Sequence, residues 1–200
     1  MRVCDADYPV TKGHMENGKW VQTWMCPFYR VWKDMHYRCS GKKGKAYDGC
    51  FVCDEWQSFM SFKRWLEHQE CFNAPGYALD KDILKEGNRC YSPETCCLVP
   101  QYINNAFISK VKDNGVMRGV YFDKKTNKYR AEGTVNGKKT SLGRFSTQAE
   151  AHRAWMISKV GSLSDTIDTY REESFADLRV LKRLLEERAK LMKILSVEEV

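Results

Sequence analysis

The stretch from Met117 to Phe145, MRGVYFDKKTNKYRAEGTVNGKKTSLGRF, constrains the fold more than any other part of the chain. Its alternation of apolar and polar residues predicts three short antiparallel strands over 117–122, 128–134 and 139–145. The turns fall at 123–127 and at Asn136-Gly137, and Asn-Gly is the strongest two-residue hairpin signal. In the middle strand Tyr129, Ala131, Gly133 and Val135 share one face, and Lys128, Arg130, Glu132 and Thr134 share the other. Residues 110–145 hold ten Lys or Arg against three Asp or Glu, an excess of seven that equals the formal +7 of the whole chain. Ser146 or Thr147 then caps a helix. Ala151, Ala154, Trp155 and Ser158 form a stripe on it that can cover the apolar side of the sheet.

The other side of that sheet is left open, basic and about as wide as a DNA groove. At Arg118-Gly119-Val120, Tyr129-Arg130-Ala131-Glu132 and Leu142-Gly143-Arg144-Phe145-Ser146-Thr147, with Glu150-Ala151 and Ala154, the chain resembles the APETALA/ethylene-response-factor type DNA-binding domain. The resemblance covers about 40 residues and implies a three-stranded sheet laid in the major groove of double-stranded DNA. Carried over by position, the reading face holds Arg118, Tyr121, Lys125, Lys128, Arg130, Glu132, Thr134 and Lys139. Tyr121 and Asp123 stand where the plant members carry arginines, and Ser141 where they carry tryptophan, so the preferred base sequence does not carry over.

Two hundred residues fit one or two small domains, and 42% hydrophobic content suffices for modest cores. No run of about 18 apolar residues is present, so no membrane span is expected. The N-terminus lacks the apolar core of a signal peptide, which predicts a cytoplasmic protein. In that compartment the nine cysteines are expected as free or metal-bound thiols.

Residues 1–22 read as an irregular strap held by Tyr8 and Trp20. Pro27 opens an amphipathic helix through Phe28, Val31, Trp32, Met35 and Cys39. After a basic, glycine-rich loop comes Cys50-Phe51-Val52-Cys53, whose spacing can grip one side of a tetrahedral zinc. Cys39, Cys90, Cys96 and Cys97 are candidates for the other two ligands. Cys39 and Cys96 are favoured, giving a structural zinc held by Cys39, Cys50, Cys53 and Cys96. Ordinary buried thiols are the alternative. Asp54 is read as the cap of a helix whose aromatic face, Trp56, Phe59, Phe62 and Trp65-Leu66, belongs to a core.

Residues 77–84 read as a strand, 85–88 as a turn and 89–91 as the return. Ser92, Pro93 and Glu94 then start a helix. Strand, turn, strand and helix make a ββα-metal finger, and Asp80 and Asp82 at the strand end supply carboxylate oxygens that suit Mg²⁺. Leu79-Asp80-Lys81-Asp82, Ser92-Pro93-Glu94-Thr95 and Val99-Pro100-Gln101-Tyr102-Ile103-Asn104 resemble phage-encoded HNH-type homing endonucleases of the His-metal finger class. That resemblance implies hydrolysis of DNA phosphodiesters with Asp80, Lys81, Asp82 and Glu94 as candidate catalytic residues and Asp80 on the Mg²⁺. Lys81 stands where the family carries its general-base histidine, and the helix asparagine falls at Thr95 or Glu94. Lys81 acts as a base only if its pKa falls by several units; His68 is the one histidine that could swing in.

Residues 102–116 read as a basic linker with a turn at Asp113-Asn114-Gly115. Beyond Gly161, Ser164 or Asp165 can cap a helix carrying Leu178, Leu181, Leu185, Leu191 and Leu195. Packing against the chain is its first reading and a homodimer through this helix the second. The expected architecture is α+β. A zinc-stabilised ββα-metal module (1–108) precedes a three-stranded antiparallel sheet packed on one helix (109–161) and a C-terminal amphipathic helix (162–200). The expected function is a metal-dependent, site-specific DNA endonuclease. A catalytically degenerate DNA-binding regulator or inhibitor, and an RNA- or host-machinery-binding protein, are the alternatives.

Overall fold

The computed structural model describes residues 2–107, 116–135 and 137–197. The chain is α+β and divides into two compact units, 1–101 and 102–200. The basic linker residues 108–115 and Asn136 lie outside the described residues.

The first unit opens with a hairpin rather than an irregular strap. Strands β1 (Thr11–Glu16) and β2 (Lys19–Met25) pair antiparallel from Thr11↔Met25 to Glu16↔Lys19. Asn17 and Gly18 both have positive φ, 49° and 75°, the type I′ turn whose twist matches a hairpin. A bulge between Lys12 and Gly13 shifts the register, which hides the alternation from the sequence. Tyr8 does pack on the core, but Trp20 stays exposed.

Helix α1 (Pro27–Arg38) starts on its proline and buries Trp32 and Met35. Helix α2 (Phe59–Glu67) buries Phe59, Phe62 and Leu66. Its cap is Ser58, whose hydroxyl accepts the Ser61 N–H at 3.0 Å. Asp54 instead precedes a 3-10 turn, Glu55–Gln57. Trp32 donates its indole N–H to the Trp56 carbonyl at 2.8 Å, so α1 is pinned at a buried point to the 3-10 turn that leads into α2. Trp56, Phe59, Phe62 and Leu66 are fully buried, as expected of a core face. A fully buried Phe or Leu of this kind contributes about 1.5–3 kcal/mol of hydrophobic stabilisation.

The expected finger pairing is not found. Strand β4 (Tyr77–Asp80) pairs antiparallel with β6 (Cys97–Pro100), sixteen residues later, from Tyr77↔Pro100 to Asp80↔Cys97. Strand β5 (Cys90–Tyr91) runs parallel to β3 (Phe51–Val52) instead. Ser92-Pro93-Glu94 forms a turn closed by the Thr95 and Cys96 N–H groups on the Ser92 carbonyl, not a helix. The turn is too short to continue because Cys97–Pro100 is wholly buried and extended against β4. The helix that follows in the chain is α3 (Gln101–Phe107).

In the second unit β7 (Val120–Asp123), β8 (Lys128–Val135) and β9 (Lys138–Phe145) form one antiparallel sheet. Helix α4 (Gln148–Arg171) packs on it through Ala151, with Val120 and Ala131 buried beneath. Thr147 is the cap, and with Glu150 it makes a full capping box. The helix does not stop at Gly161 and restart at Ser164 or Asp165. It runs on to Arg171, and the break comes where Asp177 accepts the Arg179 N–H at 2.8 Å. Helix α5 (Leu178–Val197) then folds back on α4, burying Val180, Leu184 and Leu191. No helix among the described residues is long and apolar enough to cross a membrane.

Candidate nucleic-acid interface

The sheet is pressed onto α4 at two glycines. A Cβ on Gly119 would lie 2.0 Å from the Trp155 ring, and φ there is +76°. A Cβ on Gly133 would lie 2.4 Å from the Ser158 hydroxyl. With one side committed to the helix, the other is open. Tyr121, Arg130 and Arg144 form one row across all three strands, flanked by Asp123↔Lys128, Glu132↔Ser141 and Thr134↔Lys139.

Arg144 was not among the residues expected on this face. Counting in twos from Lys139 places it on the helix side. A bulge between Ala131 and Glu132 opposes them to Gly143 and Ser141, leaves Leu142 unpaired, and turns Arg144 outward. Arg118 goes the other way. Its guanidinium lies 5.7 Å from the Trp155 ring centroid, on the helix side, and its carbonyl is bonded by His152 at 2.8 Å.

The open face is charged in a patterned way. Arg130 pairs with Glu132 at 2.7 Å and sits 5.8 Å from the Tyr121 ring centroid. Its Nε is buried without an acceptor. Arg144 pairs with Asp123 at 3.4 Å. Hydrogen bonds from Thr126 and the Lys125 N–H, with the Arg144 guanidinium, hold the Asp123 carboxyl below the usual carboxylate range. Lys125, Lys128, Thr134 and Lys139 are exposed, and among the described residues the three lysines have no carboxylate partner. A groove of about 730 Å³ continues from Tyr121, Glu132, Thr134 and Lys139 to Lys159 of α4.

In the first unit, Asp80, Lys81 and Asp82 do come together, but in an internally satisfied loop. One Asp80 oxygen accepts the N–H groups of Asp82 and Ile83 at 2.7 and 2.8 Å. Burial pushes the Asp80 carboxyl up, and those two bonds offset this in part. Lys81 is only 5% exposed. Its ammonium donates to the Asp82 carboxylate and, at 3.1 Å, to the Asn88 carbonyl. Asn88 returns its amide to the carbonyls of Lys81 and Cys90 at 2.8 and 2.6 Å. Sequence reasoning overlooked Asn88. Burial would lower the Lys81 pKa, but the Asp82 carboxylate outweighs it and the pKa is raised. A lysine held as an ammonium donates protons and cannot serve as the base. His68 is turned to the Arg64 carbonyl of its own helix at 2.6 Å. Glu94 is the exposed residue of its turn, its carboxyl held low by the Ser92 hydroxyl.

The cysteines flank the same region without forming a ligand set. Cys50 and Cys53 bracket β3, Cys39 ends α1, and Cys96 precedes β6. Burial pushes the Cys39 thiol to about 11 and the Cys96 thiol to about 12. Among the described residues no three His, Cys, Asp or Glu side chains converge to hold a metal ion. The expected zinc set of Cys39, Cys50, Cys53 and Cys96 thus has no converged ligand group, while Asp80 ends β4 and the Asp82 carboxylate is taken by the Lys81 ammonium.

Comparison with family models, curated proteins and solved structures finds no match.

Proposed function

We propose that this is a double-stranded-DNA-binding protein that docks the open face of β7–β9 in the major groove, acting as a regulator of DNA transactions. The observation that carries the reading is the row Tyr121–Arg130–Arg144 with lysines at both ends, on a sheet braced from behind by α4. Lysines neutralise phosphates without sequence preference, whereas a held arginine can bond both acceptors of a guanine edge. The resemblance to APETALA-type domains points to the same face. Anisotropy titration of labelled duplex over a range of salt tests it. Affinity should fall linearly on a log–log plot, and Lys139→Ala should reduce the slope by about one. Equal affinity for structured RNA would redirect the reading to RNA, and no binding at low salt would end it.

A second reading adds phosphodiester hydrolysis in the first unit. It is favoured by the antiparallel pairing of β4 with β6, two strands joined by a long loop, with Asp80 at the end of the first strand as in the HNH-type finger. Incubating bound cognate DNA with and without Mg²⁺ tests it. Nicking by the wild type that Asp80→Ala abolishes supports hydrolysis, and equal inertness of both proteins leaves the regulator.

A further inference from the structure

The β1–β2 hairpin is not explained by either reading. Nearly all of it is exposed, including Met15 at 64% and Trp20 at 57%, and among the described residues β1 is hydrogen-bonded to β2 alone. A two-stranded ribbon with apolar side chains on its surface is marginal by itself and leaves a free edge as a template for another strand.

That edge is complementary to itself. The two-residue turn closes on the Glu16↔Lys19 pair, so Glu16 and His14 turn their backbone groups to β2. Gly13 and Met15 therefore turn theirs outward. Set β1 antiparallel to another β1 with His14 at the centre. Gly13 then meets Met15 and exchanges the ladder bonds. Lys12 falls opposite Glu16, and Glu16 opposite Lys12. Size matches as well as charge. A Cβ on Gly13 would lie 2.6 Å from the Trp20 ring, so that ring lies close over the glycine. Met15 of the second copy would reach the gap beside it, where a thioether is well placed against an aromatic edge. Glu16 is available, since its contact to His14 is 4.0 Å between two exposed side chains.

We propose that β1 pairs with β1 of a second copy of this chain across a two-fold axis, making a four-stranded antiparallel sheet. Such an interface is isologous, and each Lys12–Glu16 pair occurs twice. The proposal does not rest on nucleic-acid binding.

Sedimentation equilibrium of the full chain tests it. The wild type should self-associate in a concentration-dependent way. Lys12→Glu and Glu16→Lys each place like charges opposite one another at two symmetric sites and should weaken association about tenfold or more. Mixing the two variants restores both opposite-charge pairs, so the mixture should associate like the wild type. A wild type that is monomeric throughout, single variants that associate as well as wild type, or a mixture that stays as weak as its components would each overturn the proposal.

Discussion

The Arg130 guanidinium is held 2.7 Å from the Glu132 carboxylate, two residues along the same strand and on the same open face. The pair fixes the arginine's direction but also places a negative charge where phosphates would approach. Glu132→Gln should therefore raise affinity for non-specific duplex several-fold at low salt and reduce discrimination between sequences. Arg130→Ala should lower affinity for preferred sites by about 1–3 kcal/mol. Paired titrations against specific and scrambled duplexes check both. An unchanged ratio in Glu132→Gln would mean the carboxylate plays no part in reading bases.

Gly119 carries the contact between sheet and helix. A methyl there meets the Trp155 ring at 2.0 Å, on a backbone with φ +76°. Gly119→Ala should destabilise the second unit by about 2–4 kcal/mol, from left-handed strain plus overpacking. Combining it with Trp155→Ala removes the clash and leaves the strain, so the double variant should lose less than the sum of the singles. Urea unfolding of all four proteins gives the coupling. Strict additivity would place the cost in the backbone alone.

Much of the second unit was legible because local signals agreed there. Alternation, turn residues and the Thr147–Glu150 box all specify sheet then helix. The missed Arg144 traces to one unpaired residue, Leu142, and a bulge leaves no mark in an alternating pattern. The first unit was harder because its pairings are not sequential. Ser92-Pro93-Glu94 has the composition of a helix start, yet long-range pairing of β6 with β4 overrides it. The same Asn-Gly signal that marked the later hairpin recurs at Asn17-Gly18, masked by the bulge at Lys12/Gly13. The extended α4 shows that one glycine at 161 does not end a helix when α5 covers its far half.

Lys81 is a buried cation whose carboxylate partner comes from its neighbour in sequence, Asp82. Asp82→Asn leaves the ammonium without its counter-charge and should cost about 1–3 kcal/mol. Lys81→Met, which removes the charge and keeps the stem, should cost less. Chemical denaturation followed by tryptophan emission reads the first unit, which holds five of the six tryptophans. If the lysine variant is the less stable of the two, the pair contributes net stability rather than relieving a buried charge.

Two carboxylates give the two units opposite responses to acid. Burial tends to raise Asp177, but hydrogen bonds from the Arg179 side chain and N–H outweigh it and leave its pKa lowered. A folded-state pKa below the unfolded value, about 3.9, means stability that is present above that pH and lost as pH falls through the folded value. Asp80 has the reverse sign. Burial raises its folded pKa, so its contribution is complete below the unfolded value and is lost as pH rises through the raised one. Asp177→Ala should cost about 1 kcal/mol near neutrality by removing the cap of α5, and that cost should shrink as the wild type is acidified. Asp80→Asn keeps the acceptor oxygen for the Asp82 and Ile83 N–H groups and removes the ionisation, so it should stabilise the first unit near neutrality and converge on wild type in acid. Denaturation midpoints for both variants between about pH 3 and pH 7 decide the signs. Parallel pH profiles for Asp80→Asn and wild type would show that Asp80 is not held up by burial.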